Sequence, residues 1–189
     1  MAIWKGSRFF KMIESYRYRE EIIFRHPEVA SIHQKCEEIV RKIDAIFTDE
    51  PPAGVCKRFG DRRALDGEKY AEQWSRARSE RCPQNADMVI GCRRNDDERL
   101  FVVELKKGVT SWDAFKYGGI VRQYEGTYST LAGHLEIHSE CIVIVNDDFY
   151  EERRRWARQR AAVIRARGDR PPHKTRVMTE SEFFTTFFE

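Results

Sequence analysis

A chain of 189 residues is long enough for one well-packed domain and too short for two comfortable ones. Its 41% hydrophobic and 12% aromatic content is ordinary for a globular core, whereas the 34% charged fraction exceeds the usual quarter and predicts a heavily solvated surface. The net charge of +3 is too small to name a partner, no apolar run approaches the ~20 residues that span a bilayer, and Met1-Ala-Ile-Trp-Lys5 carries no secretory signal, so a cytosolic protein is expected.

The first expected element is a helix over residues 29–47, because Val29, Ile32, Cys36, Ile39, Val40, Ile43 and Phe47 recur at helical spacing and Pro27 suits an early helix position. A turn-rich break at residues 49–54 follows. Residues 55–59 read as a short strand, and Tyr70 and Trp74 mark a second helix. Two strands come next, at Asp87-Met-Val-Ile-Gly91 and Leu100-Phe-Val-Val-Glu-Leu-Lys106. Thr110 and Asp113 resemble a capping box opening a helix that runs toward Leu131, with Gly118-Gly119 as its weak point. Cys141-Ile-Val-Ile-Val145 is a continuous apolar run suited to a strand buried on both faces. Residues 150–167 form a very basic helix, residues 175–178 a last strand, and Thr179 with Glu182 caps a helix that buries Phe183, Phe184, Phe187 and Phe188. This order predicts an α/β sandwich around a mixed sheet in one domain. Its core lies at about residues 28–146, with a helix-strand-helix extension at about 150–189.

The chemistry concentrates on the two central strands. Along residues 101–106, Glu104 and Lys106 share one face and Leu105 turns to the other. Asp87 alternates with Met88 and Ile90 and is expected on the side of Glu104. Two carboxylates and a backbone carbonyl suit a hard cation, so Asp87, Glu104 and the Leu105 carbonyl are the expected ligands of Mg²⁺, with Mn²⁺ as a substitute. Lys106 would position the attacking water. The other metal-type residues point elsewhere. Cys36, Cys56, Cys82, Cys92 and Cys141 are odd in number and unclustered, which predicts reduced thiols rather than a zinc site. His134 and His138 stand four apart, but Leu135 and Ile137 alternate with them as in an extended segment, so a metal role is not expected.

Asp87…Glu104-Leu-Lys106 resembles the PD-(D/E)xK nuclease superfamily over about residues 82–146, although Pro83 does not immediately precede the Asp. The resemblance implies a restriction-endonuclease-like fold and Mg²⁺-dependent hydrolysis of nucleic-acid phosphodiesters. It implies a site role for Gln123, since related proteins often place a Gln or a basic residue on the helix after this strand to touch phosphate or order water. Some branches carry a Tyr four residues later; here that place is taken by Thr127, with Tyr128 one residue on. A further acid on the first helix is common in the superfamily, and the sequence does not choose between Glu37 and Glu38; Glu68 is a weaker candidate. Arg154, Arg155 and Arg158 are candidate phosphate contacts, because a guanidinium presents a planar, permanently charged fork. A solvated helix face would carry the same residues.

The expected function is therefore a metal-dependent nuclease, with DNA favoured over RNA and a DNA endonuclease of restriction, defence or repair type foremost. The alternatives are an RNA-directed nuclease of the same fold, or a non-catalytic nucleic-acid or protein-binding module built on it. Cutting both strands of a duplex with one small site usually implies a homodimer, but no segment reads as a dimer interface.

Overall fold

Strand formation is decided by two runs in which nearly every side chain is apolar. Residues 100–105 and 141–145 are buried throughout, and β-branched Val and Ile dominate the second, which suits a sheet covered on each face. The computed structural model describes residues 15–49, 58–108, 117–131, 136–147 and 174–189. Along the chain it contains β1 (Arg17–Tyr18), α1 (Glu21–Phe24), α2 (Pro27–His33), a 3-10 turn (Glu37–Ile39), β2 (Val40–Lys42), α3 (Ile43–Asp49) and β3 (Arg63–Asp66). Then come α4 (Gly67–Arg78), β4 (Met88–Arg94), β5 (Asp97–Leu105), α5 (Tyr117–Leu131), β6 (Glu140–Val145), β7 (Lys174–Thr179) and α6 (Glu180–Phe188).

Among the described residues, seven strands form one mixed sheet in the order β2-β3-β4-β5-β6-β7, with β1 pairing to β4 off that path. The pairs from β2 through β5 are antiparallel, and β5, β6 and β7 run parallel. The sheet is open and helices cover both faces, so the α/β expectation holds. On one face, Met88, Ile90, Phe101, Val103, Leu105, Ile142 and Ile144 pack with Ile43, Phe47, Phe59, Phe183 and Phe187. On the other, Leu65, Val89 and Leu100 pack with Ile22, Val29 and Tyr70, while Val102, Val143 and Val145 pack with Ile120 and Tyr124. The expected cap of the last helix is present: the Thr179 hydroxyl accepts the Glu182 N–H, and Glu182 accepts the Thr179 N–H in return.

The continuous helix expected over residues 29–47 is not there. Helix α2 ends at His33, Cys36 adopts an extended φ of −148°, and the chain passes through the 3-10 turn and edge strand β2 before α3 begins. The apolar stripe was real but belongs to two cores. Val29, Ile32, Ile39 and Val40 sit on one face of the sheet, and Ile43 and Phe47 on the other. The chain crosses the sheet edge between them, and the spacing of buried residues on the two sides imitates one helical period. Of the short strand expected over residues 55–59, Arg58 and Phe59 lie in a bend, and the rest is outside the described residues. So are the helix start at Thr110 and Asp113, His134, Cys56, and the basic helix with Arg154, Arg155 and Arg158.

Candidate active site

Asp87 and Glu104 are brought together by the β4–β5 ladder. Met88 pairs with Val103, and one further step along each strand sets Asp87 opposite Glu104. Both side chains leave the face that carries Val102, because Met88, Val103 and Leu105 fill the opposite core. The Leu105 N–H donates to Asp87 Oδ2 at 2.6 Å, which locks the carboxylate to the end of β5 and sets the Leu105 peptide beside it. Asp87 is 9% exposed and Glu104 is fully buried.

Lys106 Nζ donates to Glu104 Oε1 and remains about a quarter exposed, so it can reach both the carboxylate and solvent. The next residue, Lys107, turns to the other face, where it approaches the Phe47 carbonyl at 3.4 Å and Glu180 at 3.6 Å. Alternation along the strand therefore selects the first lysine of the pair for the site. Gln123 approaches Glu104 from α5. Burial pushes the Glu104 carboxyl up in pKa; the Lys106 charge and hydrogen bond, Gln123 and the Asp87 N–H pull it down without offsetting the burial. Glu104 Oε2 is buried and, among the described residues, accepts no hydrogen bond of good geometry. A buried carboxylate oxygen without such a bond is costly on its own, and a cation would relieve that cost.

Among the described residues no three His, Cys, Asp or Glu side chains cluster as a metal site. A cation here would rest on two carboxylates completed by the Leu105 carbonyl and water, which fits Mg²⁺ because that ion retains several of its waters. Glu37 and Glu38 are exposed on the 3-10 turn rather than aligned on a helix. Glu38 pairs with Lys69 at 3.5 Å, and neither acts on Glu104. Glu68 is exposed in the first turn of α4. His138 stacks on Phe101 with ring centroids 4.4 Å apart and its Nδ1 accepts the Glu140 N–H, which gives it structural contacts at the edge of the core. Cys36, Cys82, Cys92 and Cys141 are in no disulfide.

Two glycines that sequence reasoning passed over set the geometry of the site. A Cβ on Gly67 would lie 1.9 Å from the Ala86 carbonyl oxygen, and one on Gly126 would lie 2.1 Å from the Gln84 carbonyl oxygen. The bare backbones of α4 and α5 thus press on residues 84–86, the segment that delivers Asp87. Gly67 also donates its N–H to the Asp87 carbonyl at 3.0 Å. The only sequence signal for these contacts was a glycine in each of two otherwise helical stretches. Gly126→Ala is expected to push α5 off this segment and destabilise the fold by about 1–3 kcal/mol, as overpacking does. Chemical denaturation would read it as a lower midpoint at unchanged slope; wild-type stability would mean that the contact yields without strain.

Searched against known protein families, curated proteins and solved structures, the chain matches none.

Proposed function

We propose that this protein is a Mg²⁺- or Mn²⁺-dependent nuclease of restriction-endonuclease-like fold, hydrolysing phosphodiester bonds of nucleic acid, with double-stranded DNA as the favoured substrate. The observation that carries the reading is the convergence of Asp87, Glu104, Lys106 and Gln123 at one end of β4 and β5, with Glu104 Oε2 buried and, among the described residues, accepting no hydrogen bond of good geometry. An ordinary solvated strand end would leave such charges in water. Here one carboxylate is fully buried and the other nearly so.

When bound, the cation would act as a Lewis acid toward the scissile phosphate and lower the pKa of water. Asp87 and Glu104 would hold it, and the Leu105 carbonyl would supply a third protein oxygen. Lys106, anchored to Glu104 and reaching solvent, positions the attacking water and offsets the negative charge that grows on the phosphoryl oxygens. Gln123 orients the water or a phosphate oxygen through its amide. The direct test is cleavage of double-stranded DNA, single-stranded DNA and RNA, with and without Mg²⁺, beside Glu104→Ala. Metal-dependent cleavage lost in the variant supports the reading, and absence of cleavage on all three substrates refutes it.

Arg154, Arg155 and Arg158 extend the proposal to substrate binding. If they contact phosphates, neutralising all three weakens binding to every sequence alike and reduces the salt slope by about one unit per lost contact. An unaltered slope in a titration at two salt concentrations would leave them as solvated surface.

A further inference from the structure

Thr127 is fully buried in α5, and its hydroxyl sits between the two halves of the proposed site. Its Oγ1 accepts the Ala86 N–H at 2.9 Å and donates to the Gln123 carbonyl at 2.8 Å. Ala86 immediately precedes Asp87, and Gln123 is the helix residue that faces Glu104. A single hydroxyl therefore ties the backbone that delivers one carboxylate to the backbone that delivers the residue facing the other. Neighbouring groups close the joint. The Asn85 Nδ2 donates to Thr130 Oγ1 at 3.2 Å, Thr130 Oγ1 donates to the Thr127 carbonyl at 3.0 Å, and Gly126 leaves room for the Gln84 carbonyl.

The bond to Gln123 is an ordinary back-bond within a helix, and helical threonines make it routinely. The bond to Ala86 is not local. It spans 41 residues and satisfies a buried backbone N–H just before β4, where no sheet partner takes it. Valine has nearly the same shape and lacks the hydroxyl, so it would fill the space and leave that N–H unpaired. The segment before Asp87 would then be free to shift relative to Gln123.

The geometry points to Thr127 as a positioning residue of the metal site, one that fixes Asp87 and Gln123 relative to Glu104 without touching substrate or cation. This inference rests on the nuclease reading and deepens it. Residues that orient metal ligands from outside the coordination sphere generally matter both to the bound ion and to turnover.

The test compares Thr127→Val, Thr127→Ser and Thr179→Ala with wild type. The last is a stability control, since Thr179 is also a buried threonine whose hydroxyl accepts a backbone N–H, here in the cap of α6. Mn²⁺ affinity is measured by calorimetry on the full chain without nucleic acid, and kcat and KM on the substrate that wild type cleaves. Thr127→Val is expected to weaken Mn²⁺ binding and to lower kcat, each by about tenfold or more, with KM little changed. Thr127→Ser should restore both, and Thr179→Ala should lower the melting temperature while leaving both intact. If Thr127→Val binds Mn²⁺ and turns over like wild type, or changes only in step with its melting temperature as the control does, the positioning role is overturned. If Thr127→Val does not fold, Thr127→Ser decides: a folded serine variant with wild-type stability but impaired Mn²⁺ binding refutes the role of the hydroxyl, and full restoration sustains it. A wild-type protein that neither binds Mn²⁺ nor cleaves removes the nuclease reading and this inference together, whereas an active wild type with an indifferent Thr127→Val removes this inference alone.

Discussion

Replacing Glu104 or Asp87 is expected to reduce metal-dependent cleavage by roughly a thousandfold or more, since losing even one positioned donor to transition-state charge costs about 10²–10³. The two substitutions should differ in what they do to the fold. Asp87 Oδ2 accepts the Leu105 N–H, so Asp87→Ala leaves that donor without its partner at a cost of about 1–3 kcal/mol. In a protein of this size that lowers the melting temperature by about 2–4 °C per kcal/mol. Asp87→Asn keeps an oxygen able to accept the bond while removing the charge, so it should be inactive at near-native stability. Glu104 presents an oxygen that accepts no hydrogen bond of good geometry among the described residues, so its removal forfeits the Lys106 pair, the weaker contacts with Gln123 and the Asp87 N–H, and the volume of the side chain. Single-turnover cleavage and thermal melts on the same preparations separate these effects. Turnover unchanged in any one of the variants would refute the assigned ligand.

What the sequence revealed of this arrangement depended on how local the determinant was. Alternation along residues 101–106 is a property of six consecutive side chains, and it places Glu104 opposite Leu105 whatever else the chain does. The apolar run of β6 and the capping box of α6 are equally local, and both are where the pattern put them. The stripe at residues 29–47 failed because periodicity reports that residues are buried without reporting in which core. Two cores on opposite faces of one sheet produced a single false period. Strand β1 is two residues long and pairs with β4 more than seventy positions away, so no local pattern could announce it.

The site shows the same division. Which side of the strand bears the carboxylate and the lysine was readable; what holds them in register was not. Gly67, Gly126 and Thr127 act through contacts with residues 84–86 that exist only after α4 and α5 have packed. In sequence they are two helix glycines and a helix threonine, each unfavourable to its helix for reasons that local propensity cannot explain. Their poor propensity is offset by close approach to the backbone leading to Asp87. The cost of burying Glu104 is only partly offset by Lys106, Gln123 and the Asp87 N–H, and the surrounding packing of β5 bears the rest.

That burial leads to the last expected result: Glu104→Gln should stabilise the metal-free protein at neutral pH. Burial raises the folded-state pKa of Glu104 above its unfolded value. A raised pKa contributes stability that is fully present below the unfolded value of about 4.3 and is lost as pH rises through the folded value. Above that window the wild type must hold a buried carboxylate, and glutamine removes the charge at nearly equal volume. The lost partner is Lys106, which is partly exposed and can be rehydrated, so breaking the pair costs little. A gain of about 1 kcal/mol or more, or about 2–4 °C in melting temperature, is expected at pH 7, vanishing near pH 4 where wild-type Glu104 is protonated. Mg²⁺ should reverse the order at neutral pH, because ligand at a hundred times its dissociation constant stabilises only a protein that binds it, by about 2.7 kcal/mol. Melts of both proteins at pH 4 and 7, with Mg²⁺ and with chelator, read every term. A glutamine variant that is less stable than wild type at pH 7 under chelation would show that Glu104 is held by its protein partners alone, and the argument for a cation at this position would lose its physical basis.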